Sequence, residues 1–256
     1  METEIDFTMS AQENANDYYK KSKKLAQKRG GAVKAVKELE DRLKEARKNA
    51  EKQPARRIIK VTKKEWYESF HWFFTSTGLL AIGGRDAHQN ELINSRHFDD
   101  KDLFFHADTF GASVVVLKDG SSEGKEIRQE AAEFAACYSS AWKEGQRTVD
   151  VYAMKRNQVS KSSGKGSLGT GSFLLSGERD WYRDVPLSLV MFVREGRLYT
   201  VPQSTFRKIN GSAADARITQ GNFKKSDAAK KISAKLDYND IDMIMRQLPV
   251  GGFGIE

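Results

Sequence analysis

The chain has 256 residues, 39% hydrophobic and 30% charged, enough apolar material for a sizeable core in one large domain or two small ones. It has no apolar run of the roughly 18 residues that a membrane-spanning helix needs, and its acidic start, METEIDFTMSAQENAND, is unlike a signal or transit peptide. The single cysteine, Cys137, excludes an intramolecular disulfide, and a cytoplasmic protein with no membrane partner is expected. The net charge of +8 is confined to one end: residues 1–64 hold 18 Lys/Arg against 10 Asp/Glu, whereas residues 65–256 hold 25 of each. A dense positive arm on a neutral body favours polyanions, nucleic acid first.

In chain order, Ser10 and Glu13 form a capping box before the helical stretch AQENANDYYKKSKKLAQKR. Gly30-Gly31 then reads as a break, followed by AVKAVKELEDRLKEARKNAEKQ, which ends before Pro54. In that second stretch Ala32, Val36, Leu39, Leu43, Ala46 and Ala50 alternate four- and three-residue spacings, the seam of a coiled coil. An antiparallel helical hairpin is therefore predicted over residues 1–54, with a second domain over residues 55–256. Aromatic and β-branched residues enter with the second domain. A helical turn and a hairpin about Ser76-Thr77-Gly78 are predicted, then a helix over 85–97 and two strands about a kink at Gly111. A helix over 122–144 follows, in which Ala131, Ala132, Ala135 and Ala136 allow close packing and Cys137 reads as a buried thiol. A strand with an apolar face at Val149, Val151 and Ala153 leads to a basic Gly/Ser-rich loop, SKSSGKGSLGTGS, over 160–172. Strands LSLVMFV and RLYTVP and a helical tail complete the chain. Strands and helices alternate without a strict βαβ period, so the fold class is read as α+β, with α/β the close alternative.

The histidines His71, His88, His97 and His106 lie among many acids, but no HExxH spacing occurs, and His71 in its aromatic setting reads as a core residue. No GxSxG elbow, Walker loop or CxxC pair is present, and no metal or cofactor is expected. The loop glycines with Lys161 and Lys165 suit phosphate contacts but suit a connector equally. The densest polar cluster is GGRDAHQNE. Open N–H groups at a helix start and Arg85 can bind an anion; alternatively Asp86 repels one, and an Arg–Asp pair simply locks the helix start. Residue chemistry alone leaves both readings open.

Four segments in order, GLLAIGGRDAHQNE, FHADTFGASVVVLK, AACYSSAW and NQVSKSSGKGSLGTGSFLLSG, resemble the NFACT-R domain of the NFACT family of ribosome-quality-control factors, which includes RqcH-like and fibronectin-binding-protein-A-like members. MSAQENANDYYKKSKKL is similar to the family segment that returns from a coiled-coil tip. The NFACT-N domain and helix-hairpin-helix segments of full-length members are absent, so the chain is expected to be a C-terminal piece. The resemblance implies a coiled coil followed by a mixed α/β NFACT-R domain. It also implies binding to the large ribosomal subunit, its rRNA, tRNA and other quality-control proteins, in support of C-terminal tailing or ubiquitin-ligase recruitment.

With the charge placement, this makes Lys20, Lys21, Lys23, Lys24, Lys28 and Arg29 the expected phosphate contacts of the arm, and Arg85, Lys155, Arg156, Lys161 and Lys165 those of the body. Asp86, Asn90, His106, Asp108, Gly111 and Ser160 are expected to shape a motif pocket. Tyr18, Tyr19, Trp66 and Trp181 are candidates for base stacking. The rival is an RNA-processing enzyme with His106 as general acid/base and Asp108 orienting it. The expected function is non-enzymatic.

Overall fold

The computed structural model of the protein describes residues 5–51, 64–163, 166–209 and 215–256. The chain divides into two compact units, Met1–Ile58 and Ile59–Glu256.

In the first unit a single 41-residue helix, α1 (Ala11–Glu51), runs without interruption. Its start is capped as the sequence predicts. Glu13 Oε2 accepts from both the amide and the hydroxyl of Ser10 at 2.8 Å, and the Glu13 amide donates to Ser10 Oγ at 3.3 Å. Asn14 adds a clamp that sequence reading missed: its amide Nδ2 donates to the Asp6 carbonyl at 2.9 Å and its Oδ1 accepts from the Asp6 amide at 3.0 Å.

The predicted break at Gly30-Gly31, and with it the hairpin, is absent. Two glycines each cost a helix about 1 kcal/mol relative to alanine but keep their N–H donors, so the backbone ladder is not cut as it is by proline. The helical phase also continues across them, with Leu25 and Tyr18 apolar and Arg29 and Ser22 polar. Counting back from Ala32 by threes and fours passes Arg29, Leu25, Ser22 and Tyr18, so one face continues through the glycines. That face is open: Leu25, Val36, Leu39 and Leu43 are each more than half exposed.

In the second unit a 3₁₀ turn at Trp66–Ser69 precedes strands β1 (His71–Phe74) and β2 (Leu80–Gly83), helix α2 (Ala87–Arg96), and strands β3 (Leu103–Ala107) and β4 (Val115–Leu117). Helices α3 (Lys125–Cys137) and α4 (Ser140–Lys143) lead to β5 (Thr148–Lys155). Short strands β6 (Val159–Ser160), β7 (Ser162–Ser163), β8 (Gly166–Ser167) and β9 (Leu174–Leu175) follow, then the longer β10 (Asp180–Pro186). The chain ends with β11 (Leu189–Arg194), β12 (Arg197–Pro202), α5 (Gln203–Lys208), β13 (Asp215–Phe223), α6 (Lys225–Leu236), α7 (Ile241–Gln247) and β14 (Phe253–Ile255).

Two main sheets result, ordered β1-β2-β4-β3-β5-β10 and β12-β11-β13-β14, and their pairings are antiparallel. This favours the α+β reading, since α/β folds rest on parallel strands. The larger sheet is buried on both faces. Phe105, Val115, Val151 and Ala153 point into a core shared with α3, the smaller sheet, α6 and α7, while Phe104, Val116, Tyr152 and Met154 point into a second cluster under α2. The predicted one-sided apolar face of β5 is thus only half of what it buries. The alanines of α3 are all fully buried, and their small side chains let the helix lie close against the sheet.

The predicted 122–144 helix is split, because Tyr138 leaves helical geometry to stack on His71, ring centroids 4.0 Å apart, and to donate its hydroxyl to the Gln247 carbonyl at 2.6 Å. Strands β10, β13 and β14 escaped sequence reading. β10 is a charged sheet edge and β13 is polar and glycine-bearing, so tertiary pairing rather than composition makes them strands.

Glu130 on α3 is fully buried and fully satisfied. Its carboxylate accepts from the Ser76 amide (2.8 Å) and hydroxyl (2.6 Å) and from Thr205 Oγ1 (3.0 Å), and pairs with Lys208 Nζ at 2.9 Å. It thereby joins the β1–β2 turn, α3 and α5.

Both the uninterrupted helix and the buried carboxylate can be tested by substitution. A Cβ at Gly30 or Gly31 meets nothing within 4 Å. The Gly30→Ala/Gly31→Ala variant should therefore gain helical circular dichroism and about 0.5–1 kcal/mol of helix stability per site, where a glycine-turned hairpin would lose both. In urea unfolding, Glu130→Ala should cost about 2–4 kcal/mol because four donors lose a buried acceptor. Lys208→Gln, whose side chain is 40% exposed, should cost about 1 kcal/mol or less.

Candidate nucleic-acid interface

The polar junction after β2 is built from its backbone outward. The Gly84 amide donates to the Val114 carbonyl at 3.0 Å, and a Cβ there would stand 2.0 Å from Asn90 Oδ1, so only glycine fits. The buried Asn90 returns the contact, accepting from the Val114 amide at 3.1 Å. Asp86 caps α2 by accepting from the Gln89 amide at 2.8 Å, and Gln89 Oε1 accepts from the Arg85 amide at 3.1 Å. The Arg85 guanidinium points inward and donates to the Phe70 carbonyl at 2.8 Å, and burial lowers its pKa. Most of the GGRDAHQNE polarity is therefore scaffolding for the start of α2.

Beside this junction lies a pocket of about 440 Å³ where the motif segments meet. Arg85, Asp86 and Asn90 form one wall. His106, Tyr152 and Phe173 form another, and the loop around Gly111 closes the third. Gly111 has φ +73°, the left-handed conformation that favours glycine, and its neighbour Phe110 is 99% exposed at the rim. The GTGS segment is held against α2: Gly171, φ +76°, would bring a Cβ within 2.7 Å of Ala87 Cβ, and its amide donates to Glu91 at 3.1 Å. Lys161 Nζ reaches the same Glu91 oxygen at 2.5 Å and the Gly169 carbonyl at 2.8 Å. The Lys161 hydrogen bond is the first cause of the lowered Glu91 pKa, ahead of the Gly171 amide.

From the pocket a row of rings crosses the sheet. His106 on β3 is directly opposite Tyr152 on β5, which is opposite Trp181 on the edge strand β10. Tyr152 Oη and His106 Nδ1 are 3.3 Å apart, and the Tyr152 and Trp181 rings meet edge to face at 5.4 Å. Strand alternation puts Arg179 and Arg183 on the same face as Trp181. Arg179 stands 4.4 Å from the centroid of the Tyr152 ring and Arg183 4.1 Å from that of Trp181. Asp150 pins Arg183 at 2.5 Å, next to a bulge where Asp184 takes φ +50°.

Residues 69–177 match the family model described as the NFACT protein RNA binding domain. The chain belongs to the NFACT family. It is 36% identical over 197 residues to the archaeal Rqc2 homolog aRqcH of Methanocaldococcus jannaschii, covering 74% of this chain and 29% of that protein. With the ribosome quality control complex subunit NEMF homolog of Drosophila melanogaster it shares 36% identity over 195 residues, 73% of this chain and 19% of that one. The chain thus spans less than a third of the length of these relatives. The C-terminal part of the fibronectin/fibrinogen-binding protein from Streptococcus suis aligns with a TM-score of 0.40 at 23% identity, over 70% of this chain and 77% of that one.

The NFACT-R domain brings together Arg85, Asp86, Asn90, His106 and Gly111 at one pocket. Asp108 is exposed, its amide on the Asp150 carbonyl at 2.8 Å, and among the described residues no hydrogen bond joins it to His106; Tyr152 holds that ring instead. Ser160 lies in β6, paired with Leu174. Lys155 is exposed at the end of β5, whereas Arg156 Nη1 donates to the Val159 carbonyl at 2.9 Å and its guanidinium lies 5.1 Å from the centroid of the Phe98 ring. Lys165 lies outside the described residues. On α1, Lys20, Lys21, Lys23, Lys24, Lys28 and Arg29 are all exposed, with Lys21 paired to Asp17 at 2.8 Å. Sequence reading missed Phe110, Arg179 and Arg183. The alternation Arg179-x-Trp181-x-Arg183 is a period-two signal for one strand face and was legible once β10 was recognised as a strand.

Burial lowers the pKa of His71 strongly, and also those of His106 and His97. For His106 the effect is partly opposed by hydrogen bonds with the Ala107 and Ala112 backbone and by the Asp108 charge. Below an unfolded histidine pKa of about 6.5 the unfolded chain binds protons that the folded one declines, so this stabilisation is complete above that pH and lost on acidification. The urea midpoint should therefore fall between pH 7.5 and pH 5.5, and the fall should be smaller in His106→Asn.

Proposed function

We propose that this chain is the RNA-holding part of a ribosome-quality-control factor. It binds the large ribosomal subunit and tRNA at stalled nascent chains, without catalysing a reaction of its own. In this reading the NFACT-R body makes selected contacts through its pocket and ring row. The exposed lysines of α1 track phosphates, and the whole supports C-terminal tailing or recruitment of a ubiquitin ligase in a cytoplasmic setting. The observation that carries the reading is the match of residues 69–177 to an RNA-binding domain family. It is joined to a segment, residues 17–64, that holds 18 basic against 6 acidic residues. The relatives named as ribosome quality control proteins supply the setting.

On α1, Lys20, Lys23 and Lys24 lie on the side away from Tyr18 and Leu25, as the 100° step of a helix requires. Phosphates can thus be met without displacing whatever covers the apolar face. The enzymatic rival has less support: His106 is half-buried beside Tyr152, and among the described residues no hydrogen bond joins it to Asp108.

Binding of tRNA and of large ribosomal subunits by the full chain should weaken steeply between low and physiological salt. Converting Lys20, Lys23, Lys24 and Lys28 to Gln should make the log–log salt slope shallower by about 3, near one unit for each phosphate no longer neutralised. Salt-independent affinity, or none at low salt, contradicts the proposal.

A further inference from the structure

We infer that the NFACT-R body captures unpaired RNA nucleotides, one base entering the pocket beneath Phe110 and a neighbour stacking on the Arg179–Trp181–Arg183 edge of the sheet. This rests on the RNA-binding reading above and narrows its ligand to single strands.

Three observations converge. First, Phe110 is 99% exposed although it adjoins a pocket that contains Phe104, Tyr152 and Phe173. A lone exposed apolar ring is ordinary, but one at the mouth of an aromatic-lined pocket is placed to close over a flat ligand. Second, the His106–Tyr152–Trp181 rung is continuous with that pocket, because His106 and Tyr152 line both. A base leaving the pocket therefore meets the guanidinium planes of Arg179 and Arg183, which lie over the Tyr152 and Trp181 rings. Third, the cations there are arranged for stacking and for phosphates together. Arg179 is exposed and, among the described residues, has no carboxylate in ion-pair reach, while its guanidinium covers Tyr152. Arg183 is held over Trp181 by Asp150, which fixes its plane while leaving other N–H donors to solvent.

Stacking faces of this kind serve unpaired bases, since paired bases hide their faces in the duplex. Two arginines supply positive charge along the aromatic surface; Asp150 is engaged by Arg183, and the Asp108 charge bears on the His106–Tyr152 end. The scaffolding polar groups do not compete, because Asp86, Asn90 and Glu91 are already occupied by internal hydrogen bonds.

The experiment compares the full chain binding a short unstructured RNA and a blunt RNA duplex of equal length, by fluorescence anisotropy at one salt concentration. Wild type should prefer the single strand. Phe110→Ala should weaken single-strand binding by about tenfold, the scale of one lost stacked base, with duplex affinity, salt slope and melting temperature unchanged. Arg179→Gln/Arg183→Gln should weaken it further. Equal binding of both RNAs, or single-strand affinity indifferent to Phe110→Ala, overturns this inference while leaving RNA binding itself in place. If neither RNA binds at low salt, this inference and the RNA-binding reading both fall.

Discussion

A buried carboxylate sets the arrangement of the second unit. Glu130 carries charge with no surface open to water, a situation that costs several kcal/mol unless every lone pair finds a partner. Its partners come from two places far from α3 in sequence: Ser76 in the first hairpin turn, and Thr205 and Lys208 on α5. Satisfying one side chain thus places the larger sheet, its covering helix and the start of the smaller sheet's helical layer relative to one another. Beside it, burial raises the pKa of Glu133, whose carboxylate takes the Ser204 hydroxyl.

With α3 fixed on one face of the larger sheet, the other face is free to carry function. Its inner part is closed by α2 and the second apolar cluster, and its outer part is left as the pocket and the ring row. The division of labour follows from local chemistry. Helix α2 needs its first amides capped and its entry backbone closely packed, so Gly84, Asp86, Gln89 and Asn90 are engaged in doing that. In the proposed RNA-holding role, recognition falls to an exposed phenylalanine and two arginines at the sheet edge. Edge strands with charged side chains also resist pairing with another sheet, so the same arginines protect the edge of β10.

The first unit is governed by different physics. A 41-residue helix with mostly exposed side chains draws no stability from a core, and rests on its capping box, its length and pairs such as Lys21 with Asp17. Lys20, Lys23 and Lys24 lie on a different side from its open apolar face, although Arg29 falls on that face, so one helix can present lysines to phosphates and a hydrophobic seam to another element.

Much of this was legible in the residues. The capping box at Ser10, the hairpin at Ser76–Gly78, the kink at Gly111, the α2 helix and the alanine-rich α3 follow from local signals: caps, turn residues and apolar period. So do the concentration of positive charge in the N-terminal quarter and the four motifs that mark the NFACT-R domain. Local signals failed at Gly30-Gly31, where low propensity was read as a break although a continuing heptad phase and intact N–H donors let the helix run on. They failed too for β10, β13 and β14, whose polar or glycine-bearing sequences become strands only because a neighbour offers a ladder. Which polar side chains are structural was decided by tertiary contacts alone. Arg85 reads as an anion ligand in sequence and is turned inward onto the Phe70 carbonyl, while Arg179 and Arg183 read as surface charge and stand over the Tyr152 and Trp181 rings. Sequence specifies the groups and their local period. Which groups remain free for a partner depends on long-range hydrogen bonds and burial, which exist only once distant segments have packed.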